Sequence, residues 1–350
     1  MTPKTPSRNA NPAATSRGFD KELAELDALS EALKSGAAPT NAQIEHLRKT
    51  LAHRNNFLVS KAAKLVAEAE LTALLPDVLT AYDRFFTDAA KTDPQCWAKD
   101  ALSKALVKLG HRHISEYLRG MRHHQMEPSF GPPVDTAGAL RGTCTHALVD
   151  CPGISDADLL TALLEPLTDI DKTVRMEAAR AISQVGGVSA MLILRLRAML
   201  GPGQPEQEEP EVLGEVYRSL LSLEGAQAIP IVASRLEPGD DLAAEAAYAL
   251  ADLRTPEGLQ PLVSRFKDGA DTWFASVLLS AIALTRLPQS IDFLVSMIEQ
   301  DGREAAAAIE AIGRIVPNTE LRARVKQAVD QAGSPRLQQA FRQHLPGADE

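Results

Sequence analysis

The stretch Asp171 to Gly186, DKTVRMEAARAISQVG, constrains this chain more than any other, because variants of it recur along the sequence. Val174, Ala178, Ile182 and Val185 fall at i, i+4, i+8 and i+11, one stripe of an amphipathic helix with polar positions between. The neighbouring pair Ala178 and Ala179 leaves room for a second helix to approach closely. Gly186-Gly187 then ends the segment where a left-handed residue is wanted. Helix-opening signals recur near residues 55, 93, 135, 171, 210, 240, 271 and 302, and the last intervals settle at 30 to 31 residues. Chemistry repeats as well: Ser234-Arg235-Leu236 matches Ser264-Arg265-Phe266, and Leu262-Val263-Ser264 matches Leu294-Val295-Ser296. Pro76, Pro166, Pro230 and Pro261 are placed near helix starts, where a missing amide costs nothing. Each unit is therefore two helices and a tight turn. One such pair cannot bury its stripe alone, so neighbours stack. The expectation is an all-α array with essentially no β-structure, since no segment alternates with a two-residue period.

Upstream, Phe19, Leu23, Leu26, Leu29 and Leu33 form one helical face, and Thr40-Asn-Ala-Gln43 is a capping box that opens a helix with Ile44, Leu47 and Leu51 inward. The sequence divides into a disordered tail (1–18), a capping helical hairpin (19–54), longer irregular repeats (55–200), an acidic proline-bearing linker (201–211) and regular repeats with capping helices (212–345). Aromatics at 4% beside 45% hydrophobic residues fit close helix packing rather than an aromatic core. The tail carries Lys4, Arg8 and Arg17 without an apolar run, so it is no secretory signal, and Pro3, Pro6 and Pro12 spoil a transit helix. Trp273 to Leu284 is too short to span a bilayer. Three cysteines, Cys96, Cys144 and Cys151, lack framework spacing, which fits a reducing compartment. A cytoplasmic protein that does not enter a membrane is expected.

Asp171-Lys-Thr-Val174-Arg175-Met-Glu-Ala178-Ala179-Arg-Ala-Ile182 resembles the second-helix motif of HEAT repeats, most of all the short bacterial HEAT-like class known from phycobilin lyases. Asp240 to Leu250 and Asn55 to Val66 are similar segments, and the likeness extends over residues 55–316. The resemblance implies an α-solenoid, a right-handed superhelix of stacked helical hairpins whose concave face grips partners. It also implies an aspartate–arginine ladder between units. Asp171 and Arg175 match that pattern, whereas Val59 and Ala243 occupy the arginine position elsewhere.

Charge is uneven: residues 1–54, 55–200 and 201–350 carry net +2, −1 and −10, and the whole chain −9. Such acidity disfavours a nucleic-acid coat. A local exception is Lys104 to His124, where Lys104, Lys108, Arg112, Arg119 and Arg122, with His111, His113, His123 and His124, face only Glu116. That segment is either a solvated helix end or a phosphate-binding patch with Tyr117 to stack on a base. Two interruptions stand apart, the loop Met126 to Asp135 (MEPSFGPPVD) and the linker Gly201 to Glu211, with Glu206, Glu208, Glu209 and Glu211.

Enzyme templates are missing: there is no G-x-S-x-G, Walker, H-E-x-x-H or G-x-G-x-x-G motif, nor the His-Glu dipeptide of iron-dependent HEAT hydroxylases. Cys144, His146, Cys151, His123 and His124 lack the tight C-x2-C spacing of zinc sites, so buried thiols are the plainer reading. Glu208-Glu209 and Asp240-Asp241 are caps and solubilisers, and Trp273 with Phe274 is core. The expected protein has no cofactor and no catalytic residue. It is a scaffold binding a protein partner through exposed second-helix groups, Lys61, Lys64, Lys99, Arg141, Arg175, Arg180, Arg218 and Tyr248, together with the 104–124 cations. Two alternatives follow from the resemblance: small-molecule handling as in phycobilin lyases, and phosphate contacts by Lys104, Lys108, Arg112 and Arg119 as in HEAT-like DNA glycosylases.

Overall fold

The structure, a computed structural model, describes residues 12–36, 38–200, 209–237 and 239–346. Of the disordered tail expected over 1–18, residues 1–11 lie outside the described residues, as do the linker residues 201–208, whereas 12–18 are helical, as the start of the first helix, and not a disordered tail. The chain forms two compact units, dividing at Ser155/Asp156.

In the first unit α1 (Pro12–Lys34), α2 (Asn41–Leu51), α3 (Asn56–Glu68), α4 (Leu75–Arg84), α5 (Ala89–Thr92), α6 (Trp97–Lys108), α7 (Ile114–Met121) and α8 (Gly138–Ala147) follow in order. The stack α1, α3, α6, α8 forms one row, and α2 lies on α4 beside it. The Thr40 capping box is present in both directions, and Asn55 caps α3 through the Leu58 amide. Between α7 and α8 the chain forms an antiparallel ladder, β1 (Met126–Glu127) with β2 (Val134–Asp135), pairing Met126 with Asp135 and Glu127 with Val134. This ladder corrects the expectation of a plain loop. Its cause is side-chain pinning at both ends rather than strand propensity, as shown below.

The second unit holds α9 (Asp156–Leu167), α10 (Lys172–Val185), α11 (Gly187–Leu200), α12 (Pro210–Glu224), α13 (Ile229–Ala233), α14 (Asp241–Asp252), α15 (Pro256–Lys267), α16 (Thr272–Leu284), α17 (Pro288–Glu299), α18 (Ala305–Arg314), α19 (Thr319–Ala332) and α20 (Pro335–His344). Even-numbered helices from α10 to α20 stack one on the next, and α9, α11, α13 and α15 form a second row that α17 and α19 repeat. Both units are all-α stacks of helical hairpins apart from the short ladder. The alanine pairs Ala62/Ala63, Ala178/Ala179 and Ala246/Ala247 are fully buried where second helices touch. Aspartates 171, 240 and 271 cap the helices they precede. Pro76 and Pro230 stand in first turns, but Pro166 and Pro261 lie inside α9 and α15, where each removes an amide donor.

The repeated Ser-Arg has a structural reason. A helix leaves its last carbonyls without intrahelical partners. Arg235 donates to the Ala198 and Met199 carbonyls that end α11, at 3.1 and 2.9 Å, and Arg265 to those of Leu236 and Glu237 in the turn that follows α13, at 3.2 and 3.4 Å. Arg84 does the same for Leu51 and His53 in the first unit, both at 3.0 Å. At the matching position of the next repeat stands Met297, and the series stops.

Among the second-unit helices α11 is apolar on two sides. Ala190, Leu194 and Ala198 are buried against the stack, while Val188, Leu192, Leu196, Met199 and Leu200 face outward.

Candidate functional site

The fold brings carboxylates from elsewhere onto the cationic segment. Lys104 meets Asp100 and Lys108 meets Glu70, each at 2.8 Å, and His124 meets Asp135 at 2.8 Å. Arg119 pairs with Asp83 while its guanidinium lies over the Phe86 ring, 4.3 Å from the centroid. His111 pairs with Glu116 at 3.3 Å and stacks on His113. Arg112 is exposed at a shallow depression of about 560 Å3 with His111, His113 and Leu75, and Arg122 is exposed nearby. Tyr117 is no stacking platform: its ring is buried and its hydroxyl donates to the His111 carbonyl at 2.8 Å.

The second-helix arginines of the second unit are joined to one another through carboxylates. Arg180 bridges Glu177 and Glu215 at 2.6 and 2.8 Å, and Arg218 bridges Glu215 and Glu245, both at 3.3 Å. Gly214 makes room for this chain, because a Cβ there would meet the Glu245 carboxylate. The same register in α14 is held by half-buried Tyr248. At the helix starts Arg175 pairs with Glu209, and Lys172 with Glu211 at 3.0 Å. Those two glutamates, assigned to the linker by sequence, thus brace α12 against α10. In the first unit Lys61 pairs with Asp27, and Lys64 is exposed. Trp273 corrects another expectation: Phe274 is buried but Trp273 is half exposed, since the two point to different sides of α16.

Lys99 and Arg141 overturn the expectation of exposure, at 0% and 1% accessibility. Neither α6 nor α8 alone would hide them; the segments 85–98 and 123–135 close over both. Lys99 Nζ donates to Asp93 Oδ2 at 3.0 Å, Gln125 Oε1 at 2.8 Å and the Phe85 carbonyl at 3.2 Å. Asp93, itself fully buried, also accepts from the Ala98 and Lys99 amides and from Asn56 Nδ2. Gln125 Nε2 passes the network to Glu127 at 2.6 Å, where Thr136 Oγ1 and the Gln95 amide also donate. To present that amide, Gln95 and Cys96 take left-handed φ values of 62° and 55°.

At the other end of the loop Arg141 donates to Asp135 Oδ2 at 2.7 Å and to the His123 carbonyl at 3.1 Å. Asp135 Oδ1 accepts the Gln125 and Ala137 amides, both at 3.0 Å. Burial pushes the Asp135 carboxyl up, but those amides, His124 and the Arg141 charge outweigh it and hold it at about 2. Glu127 is likewise held below the usual carboxylate range: burial opposes this, and the donors Gln125, Thr136 and Gln95 overcome it.

The two anchored ends carry a tip of opposite character. Met126 and Val134 are more than half exposed, and Phe130 is fully exposed at 116%. Ser129 Oγ donates to the Pro132 carbonyl at 2.6 Å and accepts the Gly131 amide at 3.1 Å, while Pro128, Pro132 and Pro133 restrict the backbone. The loop is thus an apolar tip on a charged, buried mount. The sequence marks this segment by its prolines and Gly131, with Phe130 at its centre, but exposure of that ring is a tertiary property.

The residues considered for metal do not converge. The Cys144 thiol lies 3.6 Å from the Tyr82 hydroxyl, and His124 is committed to Asp135. Burial pushes the Cys96 and Cys144 thiols up to about 12 and Cys151 to about 11. No helix among the described residues is long and apolar enough to cross a membrane.

Neither a family model nor a curated protein matches this chain. Among solved structures it is similar to an engineered protein at 17% identity, covering 97% of this chain and 93% of that one, with a TM-score of 0.39. It is also similar to the complex of CpcE and CpcF of phycocyanin lyase from Nostoc sp. PCC7120 at 15% identity, covering 82% and 94%, with a TM-score of 0.33.

Proposed function

We propose that this chain is a non-enzymatic, HEAT-type repeat scaffold of a reducing cytoplasm that binds a protein partner, with the proline-rich loop 126–135 as a principal contact. The observation that carries the reading is Phe130, fully exposed on a tip whose base is fastened by Lys99–Asp93 and Arg141–Asp135. Burying charges is costly even when they are paired, and we read these pairs as fixing a geometry. Here the geometry specified is the presentation of an apolar ring to solvent. A rigid aromatic anchor loses little entropy when it enters a partner's pocket, which is how a few residues come to dominate an interface. The paired state of the second-helix cations leaves this tip as the better-supported contact.

The test places a photo-crosslinking residue at position 130 of the full chain and captures partners from host lysate. A discrete crosslinked protein, lost on competition with wild type but retained on competition with Phe130→Ser, is the expected result. Equal competition by Phe130→Ser would count against the loop as a contact.

A further inference from the structure

We propose that His123 makes the mount of the 126–135 loop responsive to pH, closed while its imidazole is neutral and loosened once the ring takes up a proton. His123 stands in the link between α7 and β1, where the chain enters the loop. Its Nε2 lies 3.3 Å from Gln125 Oε1, the same oxygen that accepts Lys99 Nζ at 2.8 Å. The Gln125 amide is held in that orientation, because its Nε2 donates to the Asp93 carbonyl at 2.8 Å and to Glu127 at 2.6 Å. Nε2 of His123 is therefore the nitrogen that carries the hydrogen in the neutral ring, and a second proton goes to Nδ1. The ring also meets Phe86 edge-on, with centroids 5.0 Å apart. Arg119 and Lys99 reach that same phenyl ring, 4.3 and 5.8 Å from its centroid.

The charges around this imidazole are already matched. Lys99 on α6 is paired with Asp93, Arg119 on α7 with Asp83, and Arg141 on α8, which also grips the His123 carbonyl, with Asp135. Asp135 takes His124 as well. Glu127 accepts from neutral donors, but it lies at the nitrogen end of the Gln125 amide, opposite the oxygen that meets His123. An imidazolium here has no carboxylate of its own, and it sets two cations, His123 and Lys99, on one neutral oxygen. Burial lowers the His123 imidazole below its ordinary value; the Gln125 hydrogen bond and Asp135 oppose this, and Lys99 and His124 add to it. The closed mount thus prefers the neutral ring. Its stability is full above the free-imidazole value of 6.5 and declines as pH falls below it, while Asp135 stays ionised throughout that range. Any effect on partner binding rests on reading the loop as a contact, whereas the loosening itself does not.

Amide hydrogen exchange of the full chain at about pH 7.5 and about pH 5.5 tests this, each rate being referred to that of an unstructured peptide at the same pH. The reporters are the Gln125 and Ala137 amides, bonded to Asp135 Oδ1, and the Thr136 amide, bonded to the Gln125 carbonyl. Their protection should fall about 3- to 10-fold at the lower pH. The limit of ~10-fold applies to a ring that stays neutral while the mount is closed and titrates normally once it opens. His123→Gln keeps a donor at the Nε2 position without titrating, so its protection should be alike at both pH values, while His124→Gln should still respond. Wild-type protection unchanged at the lower pH, or a response that survives in His123→Gln, overturns the proposal. A histidine-selective NMR titration of the wild type reads the same group without a variant: its midpoint is expected below 6.5, and one at or above 6.5 also overturns it. Partner capture through position 130 enters neither measurement, so failure of the loop as a contact and failure of this switch are told apart.

Discussion

Replacing Lys99 is the most direct test of the buried mount. Its ammonium is fully buried, 3.0 Å from an Asp93 carboxylate that is buried too. Lys99→Met keeps most of the side-chain volume and leaves Asp93 without its countercharge, although three N–H donors remain on it. Removing one member of a buried pair costs about 3–5 kcal/mol. With a urea m-value of about 2 kcal/mol/M for a unit of this size, the midpoint should fall by about 1.5–2.5 M. Trp97 opens α6 close to the site, and the other tryptophan, Trp273, lies in the second unit. A Trp273→Phe background therefore makes fluorescence report the first unit. Lys99→Met combined with Asp93→Asn removes both charges, and the midpoint should recover by more than half. A single variant displaced by less than ~0.5 M, or a double variant no better than the single, would refute the argument that an uncompensated charge dominates.

Two further outcomes are expected. Asp135 titrates at about 2 in the folded chain against 3.8 for the free group, so it stabilises above pH ~4, and that contribution of about 2 kcal/mol disappears as pH falls from ~4 to ~2. Urea midpoints across that window should show a smaller pH dependence in Asp135→Asn than in wild type; identical slopes would contradict the assignment. Val316 holds φ of 50° in the turn between α18 and α19 while 84% exposed, so Val316→Gly relieves a left-handed penalty of ~1–2 kcal/mol against ~0.5–1 kcal/mol of glycine entropy. Calorimetry should find a Tm raised by ~2–4 °C, and a lowered Tm would show that the valine side chain makes a contact worth more than its strain.

The architecture was legible because it rests on local rules. Period-four stripes, the Thr40 capping box, capping aspartates and alanine pairs each act within a few residues, and the structure contains them. The candidate site was less so. Lys99 sits on a helix whose own pattern does not hide it; it is buried because Asp93 and Gln125, the latter 26 positions away, fold over it. Arg141 disappears for the same reason behind Asp135 and the His123 carbonyl. Helical periodicity reports which face meets a neighbouring helix and is silent about loops that return across it. The cations of 104–124 misled in the converse way: Glu70, Asp83 and Asp135 lie outside that window and reach it through the fold. The Ser-Arg repeat was visible, but its target is backbone, which no side-chain pattern encodes.

That last point bears on how an array of this kind can change. A salt bridge such as Arg218–Glu245 ties two residues in different repeats, so either one can drift only if the other follows. The Arg235 and Arg265 contacts are one-sided, because every residue supplies a carbonyl whatever its side chain. A repeat that carries its own arginine brings its connector along, and the helix end or turn it grips need offer nothing specific. Duplicating such a unit inserts a working joint in a single event, while the positions on the receiving side stay free to vary.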